Sequence, residues 1–220
     1  MEHKITIALA EDHTILRETL EHMFNDDDSF SFIFSAGNGQ ELLDQLHKTP
    51  VDVVLLDLEM PILDGREALK KIRSLYPNTK VIVLSMHYTD LHIKRYMAAG
   101  ANGYLSKDTD FEILIDAIKN VHYSGIHFDE KVSMKLIHEI MNKKLTLPKF
   151  IKNEPLTNRE IEILLLICEQ KTSSEIAKLL SISARTVENH RENMLKKTGA
   201  RNSIGLFAYA VSFGIYEFKI

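Results

Sequence analysis

Val53-Val54-Leu55-Leu56-Asp57-Leu58 is the stretch that decides the fold. Its aliphatic residues run without polar alternation, which a strand with one face in water does not do. A run this short and this apolar reads as an interior strand of a parallel sheet, covered by helices on both faces. Asp57 stands at its carboxyl end. Outward from it the pattern repeats: Val81–Ser85 is equally apolar, and Ile5–Ala10, Phe30–Ala36 and Gly103–Ser106 complete five strands. Phe30-Ser31-Phe32 alternates and suits an edge. Amphipathic segments separate the runs. Gly100 reads as a helix stop, and Thr109-Asp110-Phe111-Glu112 as a capping box opening a helix that reaches about Tyr123. The expected fold class is α/β, a doubly wound five-stranded parallel sheet.

Beyond Ser124-Gly125 the character changes. Glu130 to Lys144 carries Val132, Leu136, Ile137, Ile140 and Met141 at helical spacing, and Thr146 to Pro155 reads as a polar linker. From Leu156 only amphipathic helical segments follow, with capping-box patterns at Thr157 to Glu160 and Thr172 to Glu175 and a cap at Ser183. Three parts are expected: residues 1–125, a helix-bearing linker over 126–153, and a small all-α domain over 154–220.

The bulk properties fit two modest domains. The chain has 220 residues and is 45% hydrophobic, enough for each part to bury a core. The lone Cys168 excludes an intramolecular disulfide, and no apolar run approaches membrane-spanning length, so a reduced, cytoplasmic protein with no membrane partner is expected. The net charge of −4 is unevenly placed. Residues 1–149 hold 17 basic against 23 acidic side chains, and 150–220 hold 10 against 8. Any nucleic-acid contact belongs to the second part.

In an open parallel sheet, ligands bind beyond the carboxyl ends of the strands. Glu11 and Asp12 follow the first strand, Asp57 closes the third, Ser85 closes the fourth and Lys107 follows the fifth. Three carboxylates this close repel one another, so either one keeps a proton or a cation sits among them. A hard ion such as Mg²⁺ takes oxygen ligands and shares them with phosphate. Lys107 and the Ser85 hydroxyl suit phosphoryl oxygens. Together these groups suit phosphoryl transfer, in which positioning and charge neutralisation supply most of the catalysis.

The residues Glu11-Asp12, Asp57, Met60-Pro61, Asp64-Gly65, Ser85 and Gly103-Tyr104-Leu105-Ser106-Lys107 resemble the receiver domain of two-component response regulators over about residues 3–125. That resemblance implies a flavodoxin-like sheet. It also implies Mg²⁺ held by Glu11, Asp12, Asp57 and the Glu59 backbone carbonyl, and a phosphoryl group passed to Asp57 by a sensor histidine kinase. Ser85 and Lys107 would hold the phosphoryl oxygens, and Ser85 with Tyr104 would form the switch. Met86 departs from the small residue common there, while Glu59 and His87 flank the site.

Leu156-Thr157-Asn158-Arg159-Glu160, Glu175-Ile176-Ala177 and Ser183 to His190 resemble the LuxR-type helix-turn-helix of the NarL/FixJ family over about 154–216. This implies a transcription regulator rather than an enzyme, bound as a homodimer to promoter DNA. Arg185, Thr186, Glu188, Asn189, Arg191, Lys196 and Lys197 are the expected DNA-binding residues, and Ile204, Phe207 and Val211 the expected dimerisation residues. Glu188 stands where the family often has Lys, and Gln170 where it often has Gly. A phosphatase of a related fold would carry a second Asp two residues after the first, where Glu59 stands.

Overall fold

The computed structural model describes residues 4–87, 89–127, 155–169 and 171–216. The expected helix over Glu130 to Lys144 and the linker up to Glu154 lie outside them. The chain divides after His122 into two compact units.

The first unit alternates strand and helix: β1 (Ile5–Ala10), α1 (Thr14–Asn25), β2 (Phe30–Ala36), α2 (Gly39–Lys48), β3 (Val53–Asp57), α3 (Gly65–Leu75), β4 (Lys80–Ser85), α4 (Asp90–Ala99), β5 (Gly103–Ser106) and α5 (Phe111–Ser124). The five strands are parallel in the order β2-β1-β3-β4-β5. Every residue of β3 is buried, as its unbroken apolar run requires. On one face of the sheet, Ile7, Leu9, Val53, Leu55 and Ile82 pack with Leu20 and Phe24 of α1 and Ile118 and Val121 of α5. β2 is an edge, and a register shift leaves its Ile33 unpaired and more than a third exposed. Such a bulge twists the edge away from further pairing.

Gly100 ends α4 in the left-handed conformation, as expected. The expected box at Thr109 is displaced: α5 opens at Phe111 and Leu114 N bonds to Asp110 O, which makes Asp110 the preceding residue. Aspartate caps as well as threonine does, and the pattern cannot choose between neighbours.

The second unit contains α6 (Asn158–Cys168), α7 (Ser173–Leu180), α8 (Ala184–Thr198) and α9 (Ser203–Ser212). Both expected capping boxes are present, at Thr157 with Glu160 and at Thr172 with Glu175, and Ser183 caps α8. Ile163, Leu164, Ile176, Val187, Met194 and Leu206 form the centre of its core. Ser181, left-handed at φ 54°, makes the turn between α7 and α8. No described helix is long and apolar enough to cross a membrane.

Candidate functional site

The sheet order reverses between β1 and β3, and the expected acids meet at the carboxyl ends of those two strands. Glu11 and Asp57 are almost wholly buried, and Asp12 is half-buried. Lys107 lies between them: its ammonium is 2.8 Å from Glu11 Oε2, 3.0 Å from Glu11 Oε1 and 2.9 Å from Asp57 Oδ2. One ammonium thus serves two of the three carboxylates, Glu11 and Asp57, and Asp12 Oδ1 accepts no hydrogen bond. Burial pushes the Asp57 carboxyl above the usual carboxylate range, helped by the charge of Glu11 and opposed by Lys107. Burial alone would lower Lys107, but its contacts with Glu11 and Asp57 outweigh it and raise the ammonium above the ordinary lysine value. An excess of buried carboxylate oxygen with too few donors suits a hard divalent cation. The donor set therefore fits Mg²⁺.

Local sequence fixes this geometry. Asp64 caps α3 by accepting from Glu67 N, and Gly65 N bonds back to Leu58 O. A Cβ at Gly65 would overlap the Asp57 carbonyl oxygen, so the loop after β3 closes only because residue 65 has no side chain. Glu59 N donates to Asp57 Oδ1 at 3.3 Å.

Around Ser85 the β4–α4 turn is organised by His87. His87 N donates to Ser85 Oγ at 3.0 Å, and its imidazole Nε2 is 3.0 Å from Glu59 Oε1. The Tyr104 hydroxyl donates to His87 O at 2.7 Å with the ring buried, so the expected switch aromatic is turned inward. Met86 is exposed and does not crowd the carboxylates. A cleft of about 630 Å³ opens beside Asp12 and Glu59 and runs to Arg66, His92, Arg95 and Tyr96.

Sequence reading passed over two contributors. Arg17 donates from Nη1 to Glu11 O at 2.7 Å and pins the β1–α1 turn. His13 Nδ1 stands 3.1 Å from Glu11 Oε1 and 3.2 Å from Asp12 Oδ1, and these three residues bring possible metal-ligating atoms together. A basic residue one turn into the helix after an acidic loop is a signal for the first; the second has no signal beyond adjacency.

In the second unit the expected DNA-binding residues divide into two groups. Arg185, Asn189 and Lys196 are exposed and Thr186 is half-buried. The other three are engaged inside the unit. Ser173 Oγ donates to Glu188 Oε1, Lys197 Nζ lies 2.9 Å from the buried Glu160, and Arg191 is 4% exposed with Nη1 3.7 Å from Glu188 Oε1. Of the expected dimerisation residues, Phe207 is partly buried against the core and Val211 is half-buried. Ile204 lies in α9, its side chain outside the description.

Comparison with known proteins agrees with this arrangement. Residues 7–119 match the response regulator receiver domain, and residues 154–210 match the bacterial regulatory proteins of the luxR family. The chain is 33% identical to the transcriptional regulatory protein YxjL of Bacillus subtilis (strain 168), over 97% of this chain and 98% of that one. It is 32% identical to the transcriptional regulatory protein DegU of Brevibacillus brevis, over 89% and 88%. Among solved structures, a LuxR-family two-component response regulator from Aurantimonas sp. SI85-9A1 superposes with a TM-score of 0.56 at 25% identity, covering 62% of this chain and 98% of that one. RcsB of Salmonella enterica serovar Typhimurium shares the fold with a TM-score of 0.55 at 23% identity, over 96% and 100%. The acid cluster on the sheet, the helix-turn-helix that follows and these relatives together make the chain a two-component response regulator of the NarL/FixJ type, a transcriptional regulator with a receiver domain and a LuxR-type DNA-binding domain.

Proposed function

We propose that Asp57 accepts the phosphoryl group of a sensor histidine kinase in the cytoplasm, and that this controls dimerisation and binding of the chain to promoter DNA. The observation that carries the reading is the Lys107 ammonium held between Glu11 and Asp57 at the strand ends. Asp57 Oδ attacks the phosphorus, the bond to the donor nitrogen breaks, and the imidazole leaves with the electron pair. Lys107 neutralises charge on the phosphoryl oxygens, and the Ser85 hydroxyl donates to one of them. Mg²⁺, held by Glu11, Asp12, Asp57 and the Glu59 carbonyl, would supply further neutralisation of those oxygens.

Conversion of the carboxylate to an acyl phosphate adds about one net negative charge and moves the charge out onto three phosphoryl oxygens, enough to bias a two-state loop. That loop is β4–α4, where Ser85, His87 and Tyr104 are already linked by hydrogen bonds. Residues 1–125 act as the receiver, 126–153 as the linker and 154–220 as the output domain. Arg185, Thr186, Asn189 and Lys196 face DNA, and Ile204, Phe207 and Val211 contribute to the homodimer. Phosphoramidate with Mg²⁺ should label the wild type and tighten its binding to promoter DNA. Asp57→Asn should do neither. Labelling that survives this substitution would remove Asp57 from its role.

A further inference from the structure

The side chains along α8 differ in whether they are free to meet a ligand. Glu188, whose side chain is 37% exposed, is held through one oxygen: Ser173 Oγ, on a residue only 6% exposed at the start of α7, donates to its Oε1, and the Arg191 guanidinium lies 3.7 Å from the same oxygen. Glu188 therefore ties α8 to α7 from the inner side. On the outer side Arg185, Asn189, Asn193 and Lys196 are all exposed. Their spacing of four, four and three residues places them on one stripe of the helix.

In a helix-turn-helix the N-terminal part of the second helix meets the base edges, and later residues run toward the backbone. Of the stripe, only Arg185 and Asn189 lie in the first half of α8. Arginine pairs bidentately with guanine O6 and N7, and asparagine with adenine N6 and N7. Four residues of helix rise about 6 Å. Stacked base pairs are about 3.4 Å apart, so the two side chains reach positions roughly two base pairs apart.

We propose that Arg185 and Asn189 are the sequence-reading pair of this chain, taking a guanine and an adenine about two base pairs apart in the major groove of each half-site. Glu188 is a positioning residue, its Oε1 held by Ser173. Lys196 and Asn193 serve the phosphate backbone. This assignment rests on the second unit being the DNA-binding one.

The test enriches duplexes from a random-sequence pool with the full chain, untreated and treated with phosphoramidate and Mg²⁺, and then measures variants on the enriched duplex and its single-base changes. Enriched half-sites should carry guanine and adenine about two base pairs apart. Arg185→Ala should reduce discrimination at the guanine by about 10-fold or more, and Asn189→Ala should do the same at the adenine, each leaving the other position intact. Glu188→Gln should lower the thermal midpoint of the second unit without altering base preference. Sites lacking this pair would overturn the assignment. So would an Arg185→Ala protein that binds every duplex equally more weakly, or a Glu188→Gln protein with a changed preference at one base. Failure to enrich any duplex would overturn the assignment together with the DNA-binding reading beneath it.

Discussion

At the scale of single residues, the Asp57 carboxyl sets a testable pH dependence. Burial raises its folded value, so its contribution to stability is present below the ordinary carboxylate value and is lost as pH rises through the raised one. Asp57→Asn removes that loss. Without Mg²⁺, the variant should melt above the wild type at pH 8, with the difference shrinking toward pH 4; equal midpoints at pH 8 would contradict the burial argument. Lys107 does not confuse the reading, because its raised value places its titration far above this window. The five polar groups at the strand ends were legible from position alone, since strand ends are where an open sheet gathers its chemistry. The sharing of Lys107 between Glu11 and Asp57 was not legible, because it depends on side-chain reach across three strands. The same holds for Glu188 and Lys197. Each looks like a surface charge on a basic helix until Ser173 and Glu160, on other helices, are brought beside it.

At the scale of elements, long apolar runs gave the strands to within a residue, whereas the start of α5 depended on which of two adjacent polar residues the helix reached first. Some local conformations escape pattern altogether. Ile62, in the β3–α3 loop, is left-handed at φ 66° and 84% exposed. A β-branched residue there is strained by about 1–2 kcal/mol and makes little packing in return. Ile62→Gly should therefore raise the stability of the first unit by about 1 kcal/mol in a denaturation curve, less the entropy that glycine costs. Thr157→Ala should act in the opposite direction on the second unit. It removes an N-cap that accepts from Glu160 N, at a cost of about 1 kcal/mol.

At the scale of the whole chain, two separate cores imply two stabilities rather than one. The sequence passes from alternating strands and helices to helices alone across this division. Cys168 offers a probe of the second core. Its thiol is buried and pushed up to about 12, so at pH 8 it holds almost no thiolate. It should react with a disulfide reagent only as that core opens. Met194→Ala, deleting a fully buried side chain, should cost about 2–5 kcal/mol and speed that reaction, while the rate of labelling at Asp57 stays unchanged. A fall in Asp57 labelling alongside the faster thiol reaction would mean that the two cores melt as one.

Gly65 carries no charge and touches no phosphoryl oxygen, yet the backbone it allows is the wall against which Asp57 is set. In a survey of every substitution along the chain, scored for signalling output, position 65 should be as intolerant as Asp57 itself. A genetic map drawn from such scores would enlarge the apparent active centre by one residue whose only contribution is the room it leaves.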